Sequence, residues 1–205
     1  MITRTDILNE LAETFGYQTF LEIGVQSGVN QRAVNCAQRV GVDIDTASPA
    51  TFCLPSDEFF AMNTFTYDLI FIDGLHTEDQ AYRDVTNALD VLAPNGTICM
   101  HDCNPDSEWT QRPIEEFMHQ PGERWCGTAW RAFVRLRMTR PDLSMACFDC
   151  DEGVGVIRCG RQTAYTRTAP KAFTYADLES DRVEMLNLMP PEMLQDWLQS
   201  KRGQR

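Results

Sequence analysis

Two hydrophobic periods alternate along this 205-residue chain. From Asp6 to Phe15, Ile7, Leu8, Leu11 and Ala12 fall on one face at helical spacing, with Thr5 placed to cap them. Thr19–Ile23 (TFLEI) reads as a strand running into the loop GVQSGVN. A short helix through Ala33 and Ala37 follows, then a second strand, RVGVD, ending on Asp43. The stretch TASPATFCLPSDEFFAMN holds a brief third strand, with SDEFFAM as a capped helical turn. Tyr67–Ile72 is apolar except at Asp68, as expected of a strand buried on both faces. Thr77–Leu92 is helical, with Ala81, Val85, Ala88, Leu89 and Leu92 on one face and Thr77-x-x-Gln80 as a capping box. Pro94-Asn95-Gly96 stops it before the strand TICMH. A polar stretch rich in Pro and Trp leads to a helix over residues 130–140. LSMACF and GVGVIRC then face each other across DCDEG as a hairpin.

Strands that alternate with helices and finish in a hairpin predict a doubly wound α/β fold, with a mostly parallel sheet and one antiparallel strand. After Pro170, YADLESDRVEMLNLM and PEMLQDWLQSKR are amphipathic segments separated by Pro190-Pro191. The expected organisation is a ligand-binding domain over residues 1–168 and a C-terminal helical extension over 169–205. The apolar faces of that extension have no evident strand partner, which suits a homodimer interface.

Composition narrows the function classes. The net charge of −12, from 30 acidic and 18 basic side chains, repels phosphate backbones, so nucleic acid is not an expected partner. The four arginines of WRAFVRLRMTR read as one solvated helix face. MITRTDILNELAE lacks the apolar core of a secretion signal, and no apolar run reaches membrane-spanning length, so a cytoplasmic protein is expected. The eight cysteines fit reduced thiols serving as small hydrophobes. Cys147-x-x-Cys150 lacks the second pair a zinc site needs.

In open α/β sheets, ligands bind beyond the carboxyl ends of the strands. Polar residues follow every predicted strand. The first loop runs Glu22, Ile23, Gly24, Val25, Gln26, Ser27, Gly28, and its two glycines let backbone approach a ligand closely. It lacks the middle glycine of a dinucleotide fingerprint. Glu22 sits inside an apolar strand, where a carboxylate needs a partner. Asp43 ends the second strand where an acid can accept from both hydroxyls of a ribose. Ser56 and Asp57 follow the third strand, Asp73 and His76 the fourth, and His101, Asp102 and Cys103 the fifth. His76 suits a general base; the bland reading of it is a helix cap, and that of His101 an interior histidine.

FLEIGVQSG, GVDID, YDLIFIDGLH and LAPNGTICMHD together resemble the first, second, fourth and fifth motifs of class I S-adenosylmethionine-dependent methyltransferases. DGLHTEDQAYRD and HDCNP are most similar to a bacterial branch related to macrocin-type sugar O-methyltransferases and cephalosporin hydroxylase-like proteins. The resemblance spans about residues 18–160 and implies a Rossmann-like sheet of seven strands. It implies that Glu22, Gly24, Val25, Ser27 and Gly28 surround the methionine part of S-adenosylmethionine, that Asp43 holds the ribose, and that Ser56 and Asp57 lie near the adenine. Asp73 is expected to serve cofactor, catalysis and metal alike, with His76 as base. Asp73, His101 and Asp102 are the implied ligands of a divalent metal such as Mg or Mn; His101 stands where the metal-dependent sugar enzymes carry Glu. The implied reaction is O-methylation of a small hydroxylated acceptor, such as a sugar or glycan. The alternatives are a cofactor-binding subunit without activity and a metal-dependent hydroxylase-like relative.

Overall fold

The computed structural model describes residues 1–117, 124–167 and 173–201. The first element is α1 (Arg4–Phe15), whose N-cap is Thr3 rather than Thr5. A capping box forms with Asp6, because that register leaves Thr5 inside the first turn. Next come β1 (Thr19–Ile23), the single-turn α2 (Val29–Ala33), β2 (Gln38–Asp43), β3 (Phe52–Cys53) and α3 (Ser56–Met62). Ser56 is the first residue of α3 and does not cap it; its hydroxyl is drawn away to Asp84. Then follow β4 (Tyr67–Ile72), α4 (Glu78–Asp90) and β5 (Leu92–Met100). The expected box at the start of α4 does not form. Thr128 supplies its hydroxyl to the Glu78 amide instead, at 2.9 Å. Between Tyr67 and Leu69 the β4–β5 register jumps from Leu92 to Thr97, so Pro94-Asn95-Gly96 bulges out of the ladder.

The chain continues through α5 (Ile114–Phe117), α6 (Ala129–Thr139), β6 (Leu143–Phe148), β7 (Val154–Cys159), α7 (Tyr175–Leu186), β8 (Leu188–Met189) and α8 (Leu194–Ser200). Among the described residues the sheet has eight strands, in the order β3-β2-β1-β4-β5-β7-β6-β8. The count is one above the expected seven, and the tail supplies the extra strand. Cys147 and Phe148 of β6 pair in parallel with Leu188 and Met189, which satisfies backbone groups that β6 would otherwise leave open. Only β7 runs antiparallel to its neighbours.

Strand alternation divides the core. Leu69 and Phe71 of β4 face one layer with α1 and α8, while Ile70 and Ile72 face the other with α4, α6 and α7. The apolar faces of the tail are therefore used within the chain: Leu178, Met185, Leu186, Leu194, Trp197 and Leu198 are all buried. The anticipated boundary at 168/169 lies outside the described residues. Among the described residues, no helix is long and apolar enough to cross a membrane.

The arginine-bearing helix is not simply a solvated face. Arg137 is buried and donates to Gln162 Oε1 (2.7 Å) and to the carbonyls of Glu184 (3.0 Å) and Met185 (3.4 Å). It thereby ties α6 to the end of α7. Truncation would strand those carbonyls, so Arg137→Ala is expected to cost about 2–3 kcal/mol. Urea denaturation would read this as a lower midpoint at unchanged slope; an unchanged midpoint would show that the anchor adds nothing.

Candidate functional site

The site grows out of the last rungs of the ladder. His101 N–H donates to Ile72 O (3.0 Å), Asp73 N–H to Ile23 O (2.8 Å) and Gly24 N–H to Val42 O (2.8 Å). These three bonds fix the first residues beyond β5, β4 and β1 side by side. They lie at the topological switch, where β1 has β2 on one side and β4 on the other. Gly24 is required here: its φ is +87°, and a Cβ would lie 2.0 Å from Asp73 O.

Beyond these ends opens a cavity of about 860 Å³, within the usual range for small-molecule sites. One end is lined by Gly24, Gln26, Asp43, Ile44, Ser56, Asp57 and Gln80, the other by Arg4, Asp73, His76, His101, Asp102, Trp125 and Asp151. Of the expected residues, Glu22, Val25, Ser27 and Gly28 are not on this wall. Gly28 opens α2 at φ +74°, Val25 packs into the core, and the Ser27 carbonyl accepts from Arg32 Nη1. Asp43 anchors the glycine turn by accepting from the Gln26 amide (2.7 Å) and the Asp45 amide (2.9 Å).

Glu22 is buried under the turn. Its Oε1 accepts from Asn30 Nδ2 at 2.9 Å, and its Oε2 has no hydrogen-bond partner. Burial raises its pKa to about 7, against the hydrogen bonds from Asn30 and Gln31. Asp84 is a second buried acid, which periodicity places on the same face of α4 as Ala81, Val85 and Ala88. Its Oδ1 accepts from Ser56 Oγ (2.6 Å) and Gln80 Nε2 (3.0 Å), which ties α3 to α4 under one end of the cavity. Burial raises it to about 6.

The other end is a compact ionic cluster. His76 Nε2 lies 3.3 Å from Asp73 Oδ1. Its Nδ1–H donates to the Trp125 carbonyl at 2.9 Å, and the Trp125 indole stacks on the imidazole with centroids 5.2 Å apart. Asp102 Oδ2 is also 2.9 Å from that Nδ1, but the N–H points at the carbonyl, so Oδ2 stays buried without an aligned hydrogen bond. His101 Nδ1 sits 3.2 Å from both Asp73 Oδ1 and Asp102 Oδ1, and its Nε2–H donates to Asp151 O at 2.6 Å. Burial alone would raise both aspartates, but His101 and then His76 outweigh it and hold them well below the usual carboxylate range. Burial likewise opposes charge on His76, yet the two carboxylates lift it to about 10. His101 is raised in the same way.

Asp73, His76 and Asp102 each present a donor atom within 4.8 Å of the others. With the orphaned Asp102 Oδ2, this donor set fits a divalent cation. His76 supplies the third donor atom, while His101 commits Nε2–H to the Asp151 carbonyl and turns Nδ1 to the two carboxylates. Among the described residues this is the one cluster of metal-type donors; Cys147 and Cys150 are free thiols outside it. From the polar stretch rich in Pro and Trp, Trp125 reaches the cavity wall, and residues 118–123 lie outside the described residues. Arg4, Asp151 and Asp84 went unread in the sequence. Of these only Asp84 left a signal, a carboxylate on an apolar helical face.

Glu22 yields a pH prediction. Its folded-state pKa is raised, so the native chain binds more protons than the unfolded chain between about 4.5 and 7. Its contribution to stability therefore falls as pH rises through that window and is level above it. Glu22→Gln should match the parent near pH 4 and exceed it by about 3 kcal/mol at pH 8. Thermal unfolding across pH would contradict this if the two curves ran parallel.

Comparison with known proteins agrees with this geometry. A family described as a methyltransferase domain matches residues 49–103, from before β3 to just beyond β5. No curated protein sequence matches the chain. Among solved structures, a methyltransferase from Podospora anserina bound to SAH is similar with a TM-score of 0.56 at 20% identity, over 78% of this chain and 80% of that one. An O-methyltransferase from Bacillus cereus in complex with SAH has a TM-score of 0.54 at 15% identity, over 77% and 82%. TomG from Streptomyces achromogenes, an O-methyltransferase of tomaymycin synthesis in complex with SAM, has a TM-score of 0.54 at 15% identity, over 76% and 79%. The chain thus has the fold of the class I methyltransferases.

Proposed function

We propose that this chain is an S-adenosylmethionine-dependent O-methyltransferase of a small hydroxylated acceptor such as a sugar. The observation that carries the reading is a single cavity with a glycine turn and Asp43 at one end and the Asp73–His76–Asp102 cluster at the other. S-adenosylmethionine would supply an electrophilic methyl group on a sulfonium. Toward it, Asp43 offers carboxylate oxygens at the height of a ribose, and Ser56, Asp57 and Gln80 offer polar atoms for an adenine. Gly24 leaves backbone exposed where the methionine part would pass. Glu22 lies beneath the turn, off the cavity wall, where it braces the loop through Asn30.

At the acceptor end, His76 would take the hydroxyl proton. Hydrogen bonding to the Trp125 carbonyl fixes Nδ1 as a donor, so Nε2 is the nitrogen that exchanges a proton. A nitrogen that takes a proton cannot ligate at the same time. This reading therefore assigns a divalent ion to the Asp73 and Asp102 carboxylates, where it would acidify a coordinated hydroxyl. In the ligand-free site His76 is a cation, with its pKa near 10. The base role requires that entering cationic ligands draw carboxylate charge away from it. Trp125 offers an apolar platform beside His76, of the kind that packs against a sugar face.

The test is calorimetry with S-adenosylhomocysteine, followed by turnover with a found acceptor. His76→Ala should bind S-adenosylhomocysteine as the parent does while kcat falls by about 10²–10⁴. The parent's kcat/KM should climb with pH through the alkaline range, because the neutral imidazole is the active form, and the variant should lose that limb. No binding of S-adenosylhomocysteine would sink the function; full turnover by His76→Ala would remove its role as base.

A further inference from the structure

Arg4 is the unexpected member of the site. It is the first residue of α1, far in sequence from every strand end, yet its guanidinium lines the cavity. Nη1 donates to Asp73 Oδ2 at 2.9 Å and also lies 3.2 Å from His101 Nδ1. Nε donates to Asp151 Oδ2 at 2.8 Å, and the Arg4 backbone N–H meets the same oxygen at 3.0 Å. A cation in the first turn of a helix opposes the helix dipole, so α1 gains nothing locally from this residue. The turn that receives it is also costly. Asp151 and Glu152 are consecutive non-glycine residues at φ +47° and +65°, a conformation kept only where surroundings enforce it. That turn brings the Asp151 side chain to Arg4 and its carbonyl to His101.

The consequence concerns Asp73. Its Oδ2 is taken by Arg4, and its Oδ1 is shared by His76 and His101. A divalent ion arriving at the Asp73 and Asp102 carboxylates must therefore compete with a guanidinium clamped from behind by Asp151. We propose that Arg4 is the resident cation of this site, holding Asp73 in the absence of metal and excluding a divalent ion until it is displaced. The site would then exist in two arrangements, one with Arg4 on Asp73 and one with an ion in its place. Affinity for the ion would be set as much by Arg4 and Asp151 as by the ligands themselves.

The inference rests on the cluster geometry assigned above, and its test uses metal alone, so it can fail while cofactor binding succeeds. Mn²⁺ would be titrated into the full chain without cofactor, with bound ion read by electron paramagnetic resonance. Arg4→Ala frees Asp73 Oδ2 and should bind Mn²⁺ at least about ten-fold more tightly than the parent, the scale of one charge-assisted bond. Arg4→Lys restores a cation and should return toward the parent. Asp151→Asn loosens the clamp and should fall between. Adding Asp73→Asn to Arg4→Ala should abolish the gain. Circular dichroism confirms that each variant is folded, and the half-buried, chemically mild Asp151→Asn gives an independent reading. Equal affinity of parent and Arg4→Ala, or no binding by either, overturns the proposal.

Discussion

Asp73 and Asp102 are carboxylates carried by the ends of two adjacent central strands, where the sheet is covered on both faces. Buried charge at such a place is tolerated only with partners, since each unpaired ion costs several kcal/mol. Much of the surrounding architecture supplies those partners. His76 comes from the loop into α4, His101 from the end of β5, and Arg4 from the opposite layer at the start of α1. The β6–β7 turn adopts left-handed backbone at Asp151 and Glu152 to complete the ring. The result is a polar cluster in which nearly every oxygen is engaged, with Asp102 Oδ2 as the exception.

The sheet converts this chemistry into position. Three backbone bonds beyond the formal strand ends hold Gly24, Asp73 and His101 in register, so loop residues sit with the precision of strands. Gly24 allows β1 and β4 to close to a distance no side chain would permit. The stretch from Trp125 to Thr128 is registered in turn against the His76 loop. Thr128 N–H donates to His76 O (2.8 Å), Thr128 Oγ1 accepts from the Glu78 amide, and Trp125 receives the imidazole N–H. The orientation of His76 is thus shared between the sheet and its cover.

Polar burial elsewhere follows the same logic with weaker compensation. Glu22 has only neutral amides, from Asn30 and Gln31, set against its burial, so burial wins and its pKa rises. The acid cluster behaves oppositely, because close cations outweigh burial. Arg137 shows a third outcome, a buried cation satisfied by carbonyls and an amide, which binds the tail to the core rather than facing water.

The sequence by itself determined the strands and the principal helices, because periods of 2 and 3.6 are local properties of the chain. Tyr67–Ile72 and Leu143–Phe148 have the expected limits for this reason, while β7 starts one residue late because Gly153 belongs to the turn. It also located the polar strand ends, including Asp43, Asp73, His76 and Asp102, since residues that follow strands share one edge of a parallel sheet. What it lacked was any measure of which distant segments meet. Arg4 lies 69 residues from Asp73 and 147 from Asp151, and nothing in RTDIL distinguishes it from a solvated helix start. The tail read as an extension because a two-residue strand has no pattern of its own; pairing with β6 decided it. Caps shifted from Thr5 to Thr3, and from Thr77's own side chain to Thr128, because a hydroxyl bonds whichever amide packing brings nearest. Charge state was the last to be fixed: whether a buried histidine is base, ligand or cation depends on carboxylates within about 3 Å, a distance that only the folded chain sets.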